Sequence, residues 1–381
     1  MRAKPTLERS INVPTIRAIF AGGGTGGHLF PAIAIAEELK KIEPDAEILF
    51  IGTKDKIEAR VVPQKRYMFR PIWISGFHRR LRAGNLLFPL KVIVSFMQSY
   101  SIIKNFKPDV VVGTGGYVSG PVLRAAIVSK VPTLIQEQNS YPGVTTRMLA
   151  QKVNEVHLTF ESSKKYLQRT DNVFMTGNPT RDDLGIARRE EAFKYFGFDP
   201  SEEKKTLLVF GGSLGAHTIN GAIEKNLAEI LKKNIRLIWQ TGTEDFEDGK
   251  NLCAKYSENA VWVNPFIDRM DYAYAASDLV VCRAGATTIA ELTRLGKPAI
   301  LVPYPFAAAN HQVENAKSLA ESGAATIIYD LEVSEKLYPV LNLLLDEKRL
   351  KEMSNQSKRL GKPDAAKEIA LRVSQLARRE Q

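Results

Sequence analysis

Short, almost wholly apolar runs alternate along this chain with longer stretches whose apolar positions recur every three or four residues. IRAIFAG (16–22) precedes PAIAIAEELKKI (31–42), and AEILFIG (46–52) follows. PDVVVG (108–113) leads into GPVLRAAIVSK (120–130) and VPTLIQE (131–137). The same grammar resumes with TLLVFGG (206–212), INGAIEKNLAEILKK (219–233), IRLIWQTG (235–242), NAVWVNPF (259–266), SDLVVCRAG (277–285), TTIAELTRLG (287–296) and PAILVPYP (298–305). Apolar runs without polar alternation read as strands covered on both faces, and the periodic stretches between them read as crossover helices. The pattern predicts an α/β protein built on parallel sheets with helices on both faces.

It also predicts two copies of one unit. AIFAGGGTGGHLFPAIAIAEEL and LLVFGGSLGAHTINGAIEKNL each run strand, glycine turn, histidine, helix, about 190 residues apart. A length of 381 residues suits two domains better than one core. The turn-rich GNPTRDDLG (177–185) marks the junction. The expected layout is an N-terminal extension over 1–15, a first Rossmann-like domain over 16–180, a second over 181–360, and a C-terminal helix over 361–381.

Composition narrows the class. Hydrophobic residues make up 44% and charged residues 25%, as in globular proteins. No apolar stretch reaches the ~18 residues of a spanning helix, and MRAKPTLERSINVPT lacks the apolar core of a secretory signal. Two cysteines, Cys253 and Cys282, make no disulfide framework and suit a reducing cytoplasm. The net charge of +11 favours an anionic partner. Basic residues are not interleaved with aromatics as in a single-strand platform, so no nucleic acid is expected.

Candidate chemistry gathers where strands end. GGGTGGH (22–28) follows the first strand. Glycines there let backbone approach an oxyanion at a helix N-terminus, with Pro31 near the first turn, although tight strand–helix packing needs glycine too. The loop is no P-loop, and no acidic residue closes the second strand (Gly52-Thr53-Lys54) as a dinucleotide fold requires. That argues against an NAD-dependent oxidoreductase. His28 could move a proton near neutral pH or serve only in packing. GTGGYVSGP (113–121) and QEQN (136–139), with Glu137 and Asn139, end later strands. In the second half Ser213 adds a hydroxyl to the glycine loop, Glu291 could hold a ribose or merely support its helix dipole, and Gln312 could read sugar hydroxyls. Arg181 is the best-placed cation beside GNPT. The histidines are scattered, and neither C-x-x-C nor D-x-D occurs, so no metal is expected. ISGFHRRLRAGNLLFPLKVIVSFM (74–97) mixes Phe77, Leu81, Leu86, Leu87 and Phe88 with Arg79, Arg80, Arg82 and Lys91, which suits either an anionic membrane surface or an ordinary amphipathic helix.

Seven motifs in order, GGGTGGHLFPAIAIAEEL, GTGGYVSGP, QEQNSYPG, GNPTR, GGSLGAHTIN, CRAGATTIAEL and HQVENA, closely resemble those of the glycosyltransferase family 28 enzymes of bacterial cell-wall synthesis, over about residues 16–360. The resemblance implies a GT-B fold, two Rossmann-like domains facing across a cleft. It implies inverting transfer of N-acetylglucosamine from UDP-GlcNAc to the 4-hydroxyl of undecaprenyl-pyrophosphoryl-N-acetylmuramyl pentapeptide, with no cofactor or metal. The implied setting is peripheral, on the cytoplasmic face of the cell membrane, with proteins of cell-wall synthesis or division as further partners. Carried over by motif, the donor set is Thr25, Gly26, Gly27, Asn139, Arg181, Ser213, Ile267 (through its backbone, to uracil), Ala286, Thr287, Thr288, Glu291 and Gln312. Gly115, Gly116 and Tyr117 would lie near the acceptor pyrophosphate, His28 would be the base, and Glu137 is the alternative base. KDKIEARVVPQ (54–64) departs from the family's pattern, and no role is expected there. Rival readings are a diacylglycerol galactosyltransferase, a UDP-GlcNAc 2-epimerase, or a sensor that binds UDP-sugar without turnover.

Overall fold

A computed structural model describes residues 15–76, 87–212, 215–257, 259–307 and 310–378. The first half carries β1 (Arg17–Gly22), α1 (Gly26–Ile42), β2 (Glu47–Gly52), α2 (Ile57–Gln64), β3 (Met68–Pro71), α3 (Phe88–Phe106), β4 (Val110–Gly115), α4 (Gly116–Val128), β5 (Thr133–Glu137), α5 (Val144–Leu149), β6 (Glu155–Leu158) and β7 (Val173–Phe174). The second carries α6 (Arg189–Phe196), β8 (Lys205–Phe210), α7 (His217–Lys232), β9 (Ile235–Gln240), α8 (Phe246–Cys253), β10 (Val261–Asn264), α9 (Met270–Ala276), β11 (Leu279–Cys282), α10 (Ala286–Leu295), β12 (Ala299–Leu301), α11 (His311–Ala320), β13 (Ala325–Ile327), α12 (Val333–Leu344), α13 (Glu347–Leu360) and α14 (Ala365–Arg378).

Both halves form parallel sheets, in the orders β3-β2-β1-β4-β5-β6-β7 and β10-β9-β8-β11-β12-β13. In each, the first strand sits at the centre and the order reverses beside it, which opens a crevice at the strands' carboxyl ends. The register repeats: Phe20 of β1 lies between Phe50 and Val112, as Val209 of β8 lies between Trp239 and Val281. Side chains alternate across each sheet. Ala18 and Phe20 join the core under α1, while Ile19 and Ala21 join the core under α4. Phe20 is fully buried and its ring stacks on Phe50 at 5.4 Å. Burial of one such side chain is worth roughly 1.5–3 kcal/mol.

The chain crosses between the halves twice, once between β7 and α6 and again between α13 and α14. After the second crossing, α14 lays Ile369, Ala370, Val373, Leu376 and Ala377 against α1 in the core of the first half. Arg372 of α14 also pairs with the buried Glu155 of β6, which holds His157 at 3.1 Å. The basic positions of this C-terminal segment thus flank a helix that is buried along most of its other face.

Candidate active site

The glycine loop after β1 is held from three sides. Helix α1 starts at Gly26, so Pro31 falls in its second turn rather than its first. Thr25 precedes it in an extended conformation, with no side-chain cap on the first amides. Gly115 and Gly116, at the β4–α4 junction, adopt φ of +102° and +75°. A Cβ on Gly115 would lie 2.7 Å from His28 Nδ1, and one on Gly116 would lie 2.5 Å from the Gly23 carbonyl, so glycine is required at both. The third support is Glu58 of α2, from the segment expected to have no role. It is buried and accepts hydrogen bonds from the amides of Gly24 (2.9 Å) and Thr53 (3.0 Å) and from the Thr53 hydroxyl (2.7 Å). Burial and the nearby Glu58 carboxylate raise the Tyr117 phenol above its ordinary pKa. The sequence signal for Glu58 was an acidic residue at the first turn of a helix, six residues past a strand; its buried position made it structural.

His28 lies in the first turn of α1, half-buried, with Nδ1 3.0 Å from Gln138 Oε1. The orientation of that amide is fixed. Gln138 Nε2 donates to the carbonyls of Thr114 (2.6 Å) and Gln136 (3.3 Å), so Oε1 must face the ring. An oxygen there accepts only from Nδ1–H, which leaves Nε2 unprotonated in the neutral imidazole. The Thr114 hydroxyl binds the His28 carbonyl at 2.7 Å and holds the backbone as well. Gln138 belongs to the QEQN motif but was not singled out, because only the fold brings it to residue 28. Its neighbour Glu137 is spent differently. Its carboxylate accepts from the amides of Asn139 (3.1 Å) and Gly143 (2.9 Å) and from the Thr146 hydroxyl (2.6 Å), so it braces the loop 137–146.

The second domain has a strand-to-helix turn of its own at β11–α10. Ala286, Thr287 and Thr288 open α10 after a glycine turn, with no side-chain cap at Gly285. Thr287 Oγ1 and Arg181 Nε are buried and find no hydrogen-bond partner among the described residues. Glu291, six residues into α10, accepts from the Tyr274 hydroxyl at 2.9 Å. Burial raises its carboxyl pKa and the nearby Arg181 works against that rise. Burial and Glu291 push the Tyr274 phenol well up. That same Arg181 Nε lies 3.5 Å from Asp183 Oδ1, as an ion pair rather than a hydrogen bond. The Ile267 amide is taken by Gln240 Oε1 at 3.0 Å, and Gln240 Nε2 binds the Gly212 carbonyl, so Gln240 ties the backbone at Ile267 to the glycine loop. Gln312 Oε1 accepts from the Tyr304 amide at 2.9 Å.

The two edges meet through Asn315 of α11, which binds Ser140 and Asn139 of the first domain. Ser213 and the patch residues Phe77, Arg79, Arg80, Leu81, Arg82 and Leu86 lie outside the described residues. Leu87 is exposed and Lys91 is half-buried, bonded to Ser75. Helix α3 extends the patch with Leu90, Ile93 and Met97, exposed to 49%, 62% and 59%. A cavity of about 290 Å³ is lined by Gly177 and Asn178 of the first crossing, Ile289 and Ala290 of α10, and Leu360 and Lys362 of the second crossing.

Two parallel-sheet Rossmann-like domains, each with a glycine turn where its central strand gives way to a helix, define the GT-B class of glycosyltransferases. The chain belongs to glycosyltransferase family 28: residues 18–158 match the family's N-terminal domain and residues 206–369 its C-terminal domain. It is 44% identical over 364 residues, 95% of its length and 98% of the relative's, to the UDP-N-acetylglucosamine--N-acetylmuramyl-(pentapeptide) pyrophosphoryl-undecaprenol N-acetylglucosamine transferase of Christiangramia forsetii. The enzyme of the same name from Chlorobaculum parvum is 46% identical over 370 residues, 95% of this chain and 100% of that one. The crystal structure of Acinetobacter baumannii MurG superposes with a TM-score of 0.75 at 28% identity, over 94% of this chain and 99% of that chain.

Proposed function

We propose that this protein transfers N-acetylglucosamine from UDP-GlcNAc to the 4-hydroxyl of undecaprenyl-pyrophosphoryl-N-acetylmuramyl pentapeptide, with inversion at the anomeric carbon. The observation that carries the reading is near full-length identity of 44% and 46% to two enzymes bearing that name. The geometry supports it. In this reading the acceptor O4 attacks the anomeric carbon as the bond from that carbon to the UDP phosphate oxygen breaks. The electron pair leaves with UDP, and the hydroxyl proton passes to His28 Nε2. Gln138 keeps that nitrogen free to accept it.

The departing diphosphate meets Arg181 and the uncapped start of α10, with Ser213 from the glycine loop of the second half. Glu291 takes the ribose, the backbone at Ile267 the uracil, and Gln312 and Asn139 the sugar. Thr25, Gly26 and Gly27 approach from the first domain. Gly115, Gly116 and Tyr117 receive the acceptor pyrophosphate. The reading assigns no resident cofactor; UDP-GlcNAc enters as donor substrate.

No helix among the described residues is long and apolar enough to cross a membrane. We place the protein peripherally on the cytoplasmic face, with the α3 patch on anionic lipid beside the lipid-linked acceptor. Incubation with UDP-GlcNAc and a short-chain acceptor analogue tests the reading by product mass. One added HexNAc on the acceptor is the expected result. An unmodified acceptor with folded protein would overturn it, and UDP-GlcNAc turnover without acceptor would point to an epimerase or hydrolase instead.

A further inference from the structure

Asn315 sits in α11, three residues after Gln312, with no solvent exposure. Its amide is fully used. Oδ1 accepts from the Ser140 amide at 3.0 Å and the Ser140 hydroxyl at 2.8 Å. Nδ2 donates to Asn139 Oδ1 at 3.5 Å and to the Ala284 carbonyl at 3.4 Å. The orientation is fixed from both sides, because a backbone amide can only donate and a backbone carbonyl can only accept. One side chain thus joins three segments: its own helix, the loop after β5 in the first domain, and the loop after β11 that opens α10.

Those segments carry the sugar-facing groups. Asn139 is gripped on its other side by Glu137, through its amide at 3.1 Å and Nδ2 at 3.4 Å. Ala284 stands two residues before Ala286 at the head of α10. The Ser163 hydroxyl supports the same loop through the carbonyls of Asn139 and Ser140. We infer that Asn315 is a positioning residue that sets Asn139 of the first domain against the α10 start and Gln312 of the second, and so assembles the sugar end of the donor site across the domain boundary. The inference rests on the proposed reading of the cleft. No other side-chain type supplies two acceptor and two donor positions in this geometry. Leucine, of similar shape, leaves the Ser140 amide and the Ala284 carbonyl unpaired, and aspartate sets an oxygen against that carbonyl.

The test uses the full chain with spin labels at Lys152→Cys and Lys348→Cys, both exposed and one in each domain. The native Cys253 and Cys282 are buried. Wild type, Asn315→Ala, Ser140→Ala and the double variant are compared by inter-label distance, UDP titration and transfer kinetics. For Asn315→Ala we expect a broader, shifted distance distribution, UDP affinity within about 3-fold of wild type, and kcat lower by about 10-fold or more. Ser140→Ala, which removes only the hydroxyl bond, shifts both readouts the same way by less. The double variant is no worse than Asn315→Ala alone, since both cut one link. Unchanged distances with unchanged kcat would overturn the inference, as would additive losses in the double variant. So would a lower melting temperature and lost UDP affinity at unchanged distances, which is the mark of a structural role. Distances and UDP titration need no acceptor, so a protein that failed to transfer would still report on this link.

Discussion

His28 and Gln138 show how one proton's position follows from backbone geometry. Two fixed carbonyls orient the glutamine amide, the amide orients the ring, and the ring is left with one basic nitrogen, Nε2. His28→Ala should lower kcat by about 100-fold or more while UDP affinity changes little, because the base acts only as the bond forms. Near-normal turnover in product-mass kinetics would remove His28 from that role. A second residue gives a stability prediction. Burial lowers the Lys297 ammonium from 10.5 to about 8, with its Nζ on the Ser277 carbonyl. Between those values the unfolded chain holds a proton that the folded one has released, so stability from this group rises with pH. Its cost is fully present below about 8. Wild type should therefore gain on Lys297→Met from pH 8 to 10, by on the order of 1 kcal/mol per unit. A gap in melting temperature that does not move with pH would refute it.

At the scale of elements, strands and crossover helices were legible because buried parallel strands write themselves as unbroken apolar runs, as VVV at 110–112 and LLVF at 207–210 do. The glycine turns were legible for a related reason: Gly115 and Gly116 sit where a side chain would strike His28 or Gly23. What the sequence hid are contacts between residues far apart along it. Glu58 reaches Gly24 across 34 positions and Gln138 reaches His28 across 110, and neither separation leaves a periodicity to read. Pro31 misled in a smaller way. Proline favours a helix's first position, yet α1 begins five residues earlier, where Gly26 and Gly27 leave amides bare. Helix α3 supplies the third prediction. Leu90, Ile93 and Met97 share one face by their spacing of three and four, and Trp73 lies exposed nearby under Lys91. Ile93→Glu with Met97→Glu should abolish sedimentation with vesicles of anionic phospholipid, while transfer to a water-soluble acceptor stays within about 3-fold. Undiminished sedimentation would show that α3 is not the lipid-facing element.

Over the whole molecule, duplication of one unit was readable from paired motifs, but the way the copies are joined was not. Helix α14 was legible as a C-terminal helix, but only the fold shows it returning to α1. Two strands of chain therefore bridge the domains, and they touch: a Cβ on Gly177 would lie 2.5 Å from the Lys362 Cβ. Arg294 of α10 binds both, through the Thr180 hydroxyl at 2.9 Å and the Pro363 carbonyl at 3.3 Å. A single tether permits rotation about any direction, whereas two fastened side by side leave one easy axis, the line through both. Any relative rotation of the domains is then confined to one arc. In the proposed reading the separation of Asn139 and Gln312 is then governed by the joint as well as by Asn315, so residues that touch neither substrate share in the precision of the chemistry.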